Sequence, residues 1–337
     1  MKRPKLLRGL SATAGAGALS PFLAPARSAA QPRRTLTLGL TSRSANEWTI
    51  FVAEKAGLFA GNGLQVDQIV VGSSAACAQQ LTAASIDIGS VSSTQVVEAV
   101  LGGAPIVEIL NEMTIAPYSI LARKGMTAFA QLKGKTMIVG GPNDITRIFA
   151  DKVIAGNGLR PDDVTYTFAG ATSDRYAALL SGSVDAAILL PPFSFRAAGD
   201  GYPVVAEVQK YVQHFPFGGL AARIDWAKSH SDYVVAFDKS CLQAVQWLSD
   251  PSKKNRAVDI LVEGTNTRRE DALGSYDLLV SRLHVYSRDG RFSDDDFRQV
   301  LEALVGSKQV SLPTPLPSRF YDNRYADQAF KGIRAPR

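Results

Sequence analysis

The pentapeptide AGNGL occurs twice, at 60–64 and at 155–159, and this pair constrains the fold more than any other feature of the chain. Each copy follows an amphipathic stretch and precedes a β-rich run, where Gly and Asn suit the left-handed residue that ends a helix. A good helix stop could recur by chance, but the matches continue in order. Gly72 and Gly170, then Asp87 and Asp185, keep one offset of 98 residues. The two acids lie in SIDIG (85–89) and SVDAA (183–187), each a lone carboxylate at the start of an apolar run. An ordered series of this kind predicts two related lobes. At 337 residues and 46% hydrophobic content the chain is long enough to give each lobe its own core.

From Thr35 onward short β-rich runs alternate with amphipathic stretches, the pattern of an α/β chain. Strands are expected at 35–40, 65–71, 86–91, 105–110, 132–139 and 164–168, with a further one leading into Leu190. Helices are expected at 47–59, 75–84, 145–155 and 173–181. After Gly218 the periodicity is mostly helical, over 232–249, 255–263, 270–280 and 294–304, with a break at Asp250-Pro251. Residues 312–337 carry several prolines and read as a surface tail.

The first thirty residues differ in kind. Lys2, Arg3, Lys5 and Arg8 precede an apolar stretch over 9–23, and Ser28-Ala29-Ala30 offers small residues for cleavage, which predicts a secretory signal peptide over 1–30. Its removal takes five basic residues and no acid, so 37 basic against 31 acidic side chains become 32 against 31. A nearly neutral mature chain without basic runs argues against a nucleic-acid partner.

Catalytic and metal templates mostly fail. Cys77 and Cys241 lack metal-ligand spacing, and His214, His230 and His284 are scattered. Gly134-Lys135-Thr136 resembles the end of a phosphate loop, but Phe129 stands where the first glycine is required. The sequence thus predicts no enzyme activity, no metal and no cofactor.

What remains is six polar loops, each after an expected strand: 41–48, 72–75, 90–94, 140–146, 170–173 and 190–194. In open α/β sheets ligands bind outside those strand ends, where helix N-termini offer free N–H groups to anions. Capping alone accounts for Ser73, Asp144 or Ser173 singly; six such loops in two lobes point to a cleft. Trp48, Tyr118 and Phe193 are candidate aromatic walls, and Asn46 and Pro192 lie on the first and last loops. Arg147 is either a bidentate partner for a ligand carboxylate or a solvated first-turn residue.

With these residues assembled, the chain resembles the periplasmic substrate-binding proteins of ABC importers for nitrate, sulfonate and taurine, a family that also holds thiamine-pyrimidine-precursor binders. The resemblance rests on FVAEKAGLFAGNGLQVD, LTAASIDIG followed by AVLGGAP, LKGKTMIVG, NGLRPDDV, ALLSGSVDAAILLPP, WLSDPSKKNRAVDIL and the spaced pair Ala272 and Tyr276, over about residues 36–285. It implies a two-lobed periplasmic binding protein fold, type II-like, each lobe an open mixed sheet flanked by helices, with two crossing strands as hinge. Lobe one would comprise 31–122 and 220–310, lobe two 123–219, and 311–337 the tail. Crossings are expected near 121–124 and 218–223. The resemblance also implies Ser73, Ser74, Ser92, Ser93, Asn143, Asp144 and Thr172 as ligand-binding residues. It implies a small anionic ligand, a membrane permease with its ATPase as partners, a monomer, and a periplasmic location. Many relatives carry an aromatic residue, an acid and then proline after the sixth strand. This chain has Leu190-Pro191-Pro192 there, which argues against recognition of a ligand amine. The alternatives are a pyrimidine-precursor binder, a pyrimidine-forming synthase, against which the two isolated cysteines and the export signal speak, and the sensing module of a signalling protein.

Overall fold

A computed structural model of the chain describes residues 34–213 and 215–333. The expected signal peptide and His214 lie outside them. The strands are β1 (Arg34–Leu40), β2 (Leu64–Val70), β3 (Ile88–Val91), β4 (Ile106–Met113), β5 (Ser119–Ala122), β6 (Lys135–Val139), β7 (Val164–Phe168), β8 (Ala186–Leu189), β9 (Val204–Glu207) and β10 (Gly218–Arg223). The α-helices of the first two thirds are α1 (Trp48–Lys55), α2 (Leu58–Gly61), α3 (Ser74–Thr82), α4 (Ser93–Leu101), α5 (Ile145–Gly156), α6 (Thr172–Ser181) and α7 (Phe193–Gly199). Those of the last third are α8 (Ile224–Ser229), α9 (Ser231–Ser249), α10 (Lys254–Thr265), α11 (Arg269–Tyr276), α12 (Asp294–Gly306) and α13 (Arg324–Lys331).

Among the described residues the strands form two five-stranded sheets, ordered β2-β1-β3-β10-β4 and β7-β6-β8-β5-β9. The orders correspond position by position. In each, one antiparallel strand is inserted beside the strand that follows the repeated aspartate: β10 between β3 and β4, β5 between β8 and β9. The architecture is α/β, two mixed sheets flanked by helices. Residues 119–122 pair with β8 and β9, so the second sheet begins at Ser119 and not at 123, and Gly218 and Gly219 already belong to the first. Strand pairing fixes this boundary; the hydrophobic pattern alone leaves it open by a few residues.

The repeated aspartates are structural in both copies. Asp87 accepts from the Thr37 N–H at 2.8 Å while its own N–H reaches the Thr37 carbonyl. Asp185 does the same with Thr136, at 3.0 Å. Each carboxylate thereby ties the start of the central strand, β3 or β8, to its parallel neighbour, β1 or β6, and satisfies an N–H that the ladder leaves open.

The first helix and the C-terminal segment depart from the sequence expectation. The helix expected over 47–59 breaks at Gly57, which takes φ +72° between α1 and α2, a backbone region in which glycine costs nothing. The tail is not a surface tail. Phe320 is fully buried and stacks on Phe297, Tyr321 forms a β-bridge with Glu108, and α13 buries Tyr325, Ala326 and Ala329. Three of the prolines, Pro313, Pro315 and Pro317, lie in the connecting segment and mask the short amphipathic helix behind them. Among the described residues no helix is long and apolar enough to cross a membrane.

Candidate functional site

Every loop that follows one of the parallel strands β1, β2, β3, β6, β7 and β8 sends at least one residue to a single cavity. Its wall includes Thr41, Ser42 and Asn46 after β1, Ser74 after β2, Ser92 after β3, Asp144 after β6, Gly170 and Thr172 after β7, and Leu190 after β8. Tyr118 and Phe217, in the two segments that pass between the sheets, complete it. The cavity volume is about 50 Å³, room for one or two water-sized groups. The lobes touch around it. Ala45 N–H donates to the Pro191 carbonyl at 3.0 Å, and a Cβ added at Gly170 would stand 2.5 Å from that of Ser73. Elsewhere between the lobes Arg268 reaches Asp200, at 2.9 Å, and Asp271 of its own lobe, at 2.7 Å.

The cavity holds one arginine, Arg175, on the buried face of α6 with Thr172, Tyr176 and Leu179. The side chain is 2% exposed. Its Nε donates to the Ile188 carbonyl at 2.8 Å and its Nη1 to the carbonyls of Ala169 and Gly170 at 2.9 and 2.7 Å. Such hydrogen bonds contribute about 1.5–3 kcal/mol each when the donor is charged, which is what keeps a buried guanidinium in place. All three acceptors are neutral, and among the described residues no carboxylate forms an ion pair with it, so its charge is left for the cavity. Burial pushes the Tyr118 phenol up, Arg175 is the first influence opposing that, and Asp144 adds to the rise.

Helix termini add to this field. The side chains of Ser73 and Asp144 cap α3 and α5 by accepting from Ala76 N–H and Thr146 N–H. α4 and α6 have no such cap. Ser92, at the start of α4, turns its hydroxyl to Ser74 and Thr94, at 3.1 and 3.2 Å. Thr172, at the start of α6, accepts from Leu190 N–H at 3.1 Å. Two helices of nine and ten residues, one from each lobe, thus start at residues of the cavity wall without a side-chain cap, and uncapped N-termini favour anions.

Of the twelve residues expected from the sequence, Asn46, Ser74, Ser92, Tyr118, Asp144 and Thr172 line the cavity, and six do not. Trp48 is fully buried, donates to the Ala257 carbonyl at 3.1 Å and meets Tyr276 edge-on, as core packing. Ser93 points its hydroxyl at both oxygens of buried Glu108, at 3.1 Å each. Ser73 caps α3 and touches the opposite lobe at Gly170. Asn143 is exposed to solvent. Pro192 precedes α7 after a cis bond from Pro191, and Phe193 packs on Tyr176 with centroids 5.6 Å apart. Arg147 pairs with Asp151 at 2.9 Å and lies over Tyr166, so the cavity's cation is Arg175 instead. The sequence carries a sign of this: Arg175 shares the i, i+3, i+4, i+7 face of α6 with Thr172, Tyr176 and Leu179, where a solvated arginine does not belong. Cys77 and Cys241 are buried free thiols.

The fold is similar to that of the periplasmic nitrate-binding protein NrtA from Synechocystis PCC 6803, with TM-score 0.78, 13% identity and 90% of each chain covered. It is also similar to the alkanesulfonate-binding protein SsuA from Xanthomonas axonopodis pv. citri bound to MOPS, with TM-score 0.71, 15% identity, and 85% of this chain and 98% of that one covered. In sequence, YtlA of Bacillus subtilis (strain 168) is 23% identical over 308 residues, spanning 88% of this chain and 91% of that protein. A family model described as NMT1/THI5 like matches residues 44–253, a stretch that takes in five of the six cavity loops whole and the first from Ser44 onward. The chain therefore belongs to the NMT1/THI5-like family, with the two-lobed fold of the periplasmic binding proteins.

Proposed function

We propose that the protein is the exported solute-binding component of an ABC importer, which captures a small anion between its lobes and delivers it to a membrane permease and its ATPase. The observation that carries this reading is Arg175, a buried cation held by three carbonyls with no carboxylate in an ion pair among the described residues, placed in a cavity entered by the uncapped N-termini of α4 and α6. Thr41, Asn46, Ser74, Ser90, Ser92, Tyr118 and Thr172 supply hydroxyl and amide groups around it, and Asp144 offers an acceptor to a ligand O–H or N–H. In this reading the chain has no catalytic residue, works as a monomer in the periplasm after loss of 1–30, and hinges where the chain passes between the sheets, at 114–118 and 208–217. Nitrate, a sulfonate or an organic carboxylate fits the charge. The volume of about 50 Å³ favours an ion of few heavy atoms in the closed arrangement, whereas an aromatic anion would hold the lobes further apart.

A thermal-shift screen of the mature chain against nitrate, ethanesulfonate, aliphatic and aromatic carboxylates and pyrimidines tests the reading, since a ligand at 100 times its Kd stabilises the folded state by about 2.7 kcal/mol. An anion should raise Tm by several degrees and contract the protein in solution scattering. No shift with any compound and no contraction would overturn it.

A further inference from the structure

Directly behind the cavity wall lies a carboxylate that the anion site does not need. Glu47 is fully buried. Its Oε1 accepts from Thr41 Oγ1 at 3.1 Å and Asn46 Nδ2 at 3.2 Å, and Asn46 Nδ2 also reaches Ser90 Oγ at 3.4 Å. Thr41, Asn46 and Ser90 all line the cavity. Glu47 Oε2 has no hydrogen-bond partner among the described residues, and no basic side chain there pairs with Glu47. The titratable groups packed near it do not compensate a negative charge: Glu112 of β4, Cys77 of α3 and Tyr286, whose hydroxyl donates to the Ala45 carbonyl at 2.7 Å. Glu112 is itself bonded by Thr49. The charged groups of the opposite lobe that reach the cavity are Arg175 and Asp144.

We infer that Glu47 makes capture proton-coupled: the site takes up its anion together with one proton, which comes from solvent and rests on the Glu47 carboxyl. The inference rests on the reading of the cavity as an anion site. Two effects act in the same direction. An ionised Glu47 repels an anion held on the other side of a single layer of side chains. It also keeps the Thr41 hydroxyl and Asn46 amide donating toward itself, whereas a neutral carboxyl accepts from them more weakly and leaves them freer to turn to the ligand. Burial pushes Glu47 up to about 7, against the hydrogen bonds from Asn46 and Thr41, so both protonation states are populated near neutrality. Coupling is reciprocal: the anion favours the proton as much as the proton favours the anion. Affinity should therefore be constant in acid and weaken above pH ~7, by up to about tenfold per pH unit.

The test is isothermal titration calorimetry of the mature chain with nitrate and with ethanesulfonate, from about pH 5 to pH 8.5, in buffers of different ionisation enthalpy. Near pH 7.5 the heat should depend on the buffer, reporting uptake of up to one proton, and near pH 5 it should not. In Glu47→Gln, which mimics the neutral carboxyl at the same size, the uptake should vanish and the affinity become flat with pH. Buffer-independent heat in the wild type, or uptake that persists in Glu47→Gln, overturns the inference; the second result moves the proton to a group such as Glu98, raised to about 7 by burial and by Asp144. If neither anion binds, the anion reading fails, and the switch is still read from unliganded protein. Wild-type Tm should then fall relative to Glu47→Gln as pH rises from 5 to 8, and parallel profiles would overturn it.

Discussion

Gly170→Ala separates closure of the lobes from folding of either one. Gly170 has no positive φ, so alanine suits its backbone, but the new methyl would stand 2.5 Å from Ser73 Cβ and 2.6 Å from the Gly72 carbonyl oxygen. Both neighbours belong to the opposite lobe and one is backbone, so the loops must part by about 1 Å to reach ordinary contact. Overpacking of this kind costs about 1–3 kcal/mol. The whole cost falls on the closed arrangement, because the clash exists only when the two loops meet. If closure traps the ligand, apparent affinity falls by the loss in closed population, about 5- to 150-fold. The assay pairs calorimetric affinity for the best anion of the thermal screen with the Tm of unliganded protein and the radius of gyration in scattering. Weaker binding, an unchanged unliganded Tm and incomplete contraction are expected. Unchanged affinity would refute the idea that this contact is made on the path to capture, and a Tm lowered in proportion to affinity would show that the strain sits inside a lobe.

Arg175→Met should weaken anion binding by at least about 30-fold, the lower end of the effect of truncating one partner of a buried charge pair. It should also destabilise the fold by leaving three carbonyls short of a donor, whereas Arg147→Met, on the Asp151 and Tyr166 face, should change affinity less than about twofold; equal effects would remove Arg175 from the site. Arg268→Ala removes the interlobe bridge to Asp200 and the bond to the Arg196 carbonyl. The side chain is 37% exposed, so a modest two- to fivefold faster ligand release in stopped flow is expected, and an unchanged rate would exclude this bridge as a latch. Burial raises the carboxyls of Glu47, Glu108, Glu112 and Asp238. Their neutral forms are favoured in the folded state, so stability is greatest near or below the ordinary carboxylate range and declines as pH rises through it toward neutrality. A Tm that climbs steadily from pH 4 to 8 would contradict this.

The repeat was legible because it is written in backbone requirements. AGNGL marks two helix ends, and Asp87 and Asp185 fill two equivalent hydrogen-bonding positions, so the pattern survives whatever each lobe binds. The loops were legible for the same reason, since a polar run after a strand announces its place in a parallel sheet. Within a loop, the choice between ligand and scaffold was not. Ser92 and Ser93 are neighbours of one type, yet one hydroxyl lines the cavity while the other serves Glu108, a residue fifteen positions away in sequence. Such a difference is set by helix phase and tertiary partners, and a loop's composition does not contain it. Trp48 misled because an indole whose N–H needs an acceptor looks like a ligand platform until Ala257 supplies the carbonyl. Arg175 was hidden by the opposite bias: arginines are assumed to be solvated, and its three carbonyl partners come from β8 and the β7–α6 loop, which only the fold brings to one point.

The nested sheets bear on the order in which the molecule can assemble. The second sheet is drawn from one continuous stretch, Ser119 to Glu207, while the first stays open until β10 returns and seats Gly219 against Asn111, more than a hundred residues earlier in the chain. Closing so long a loop is entropically slow. A chain emerging in order would complete its inner lobe first, leaving β3 and β4 unjoined, with both facing edges exposed, until the last third arrives. That interval is when the chain is most open to mispairing and to capture by chaperones.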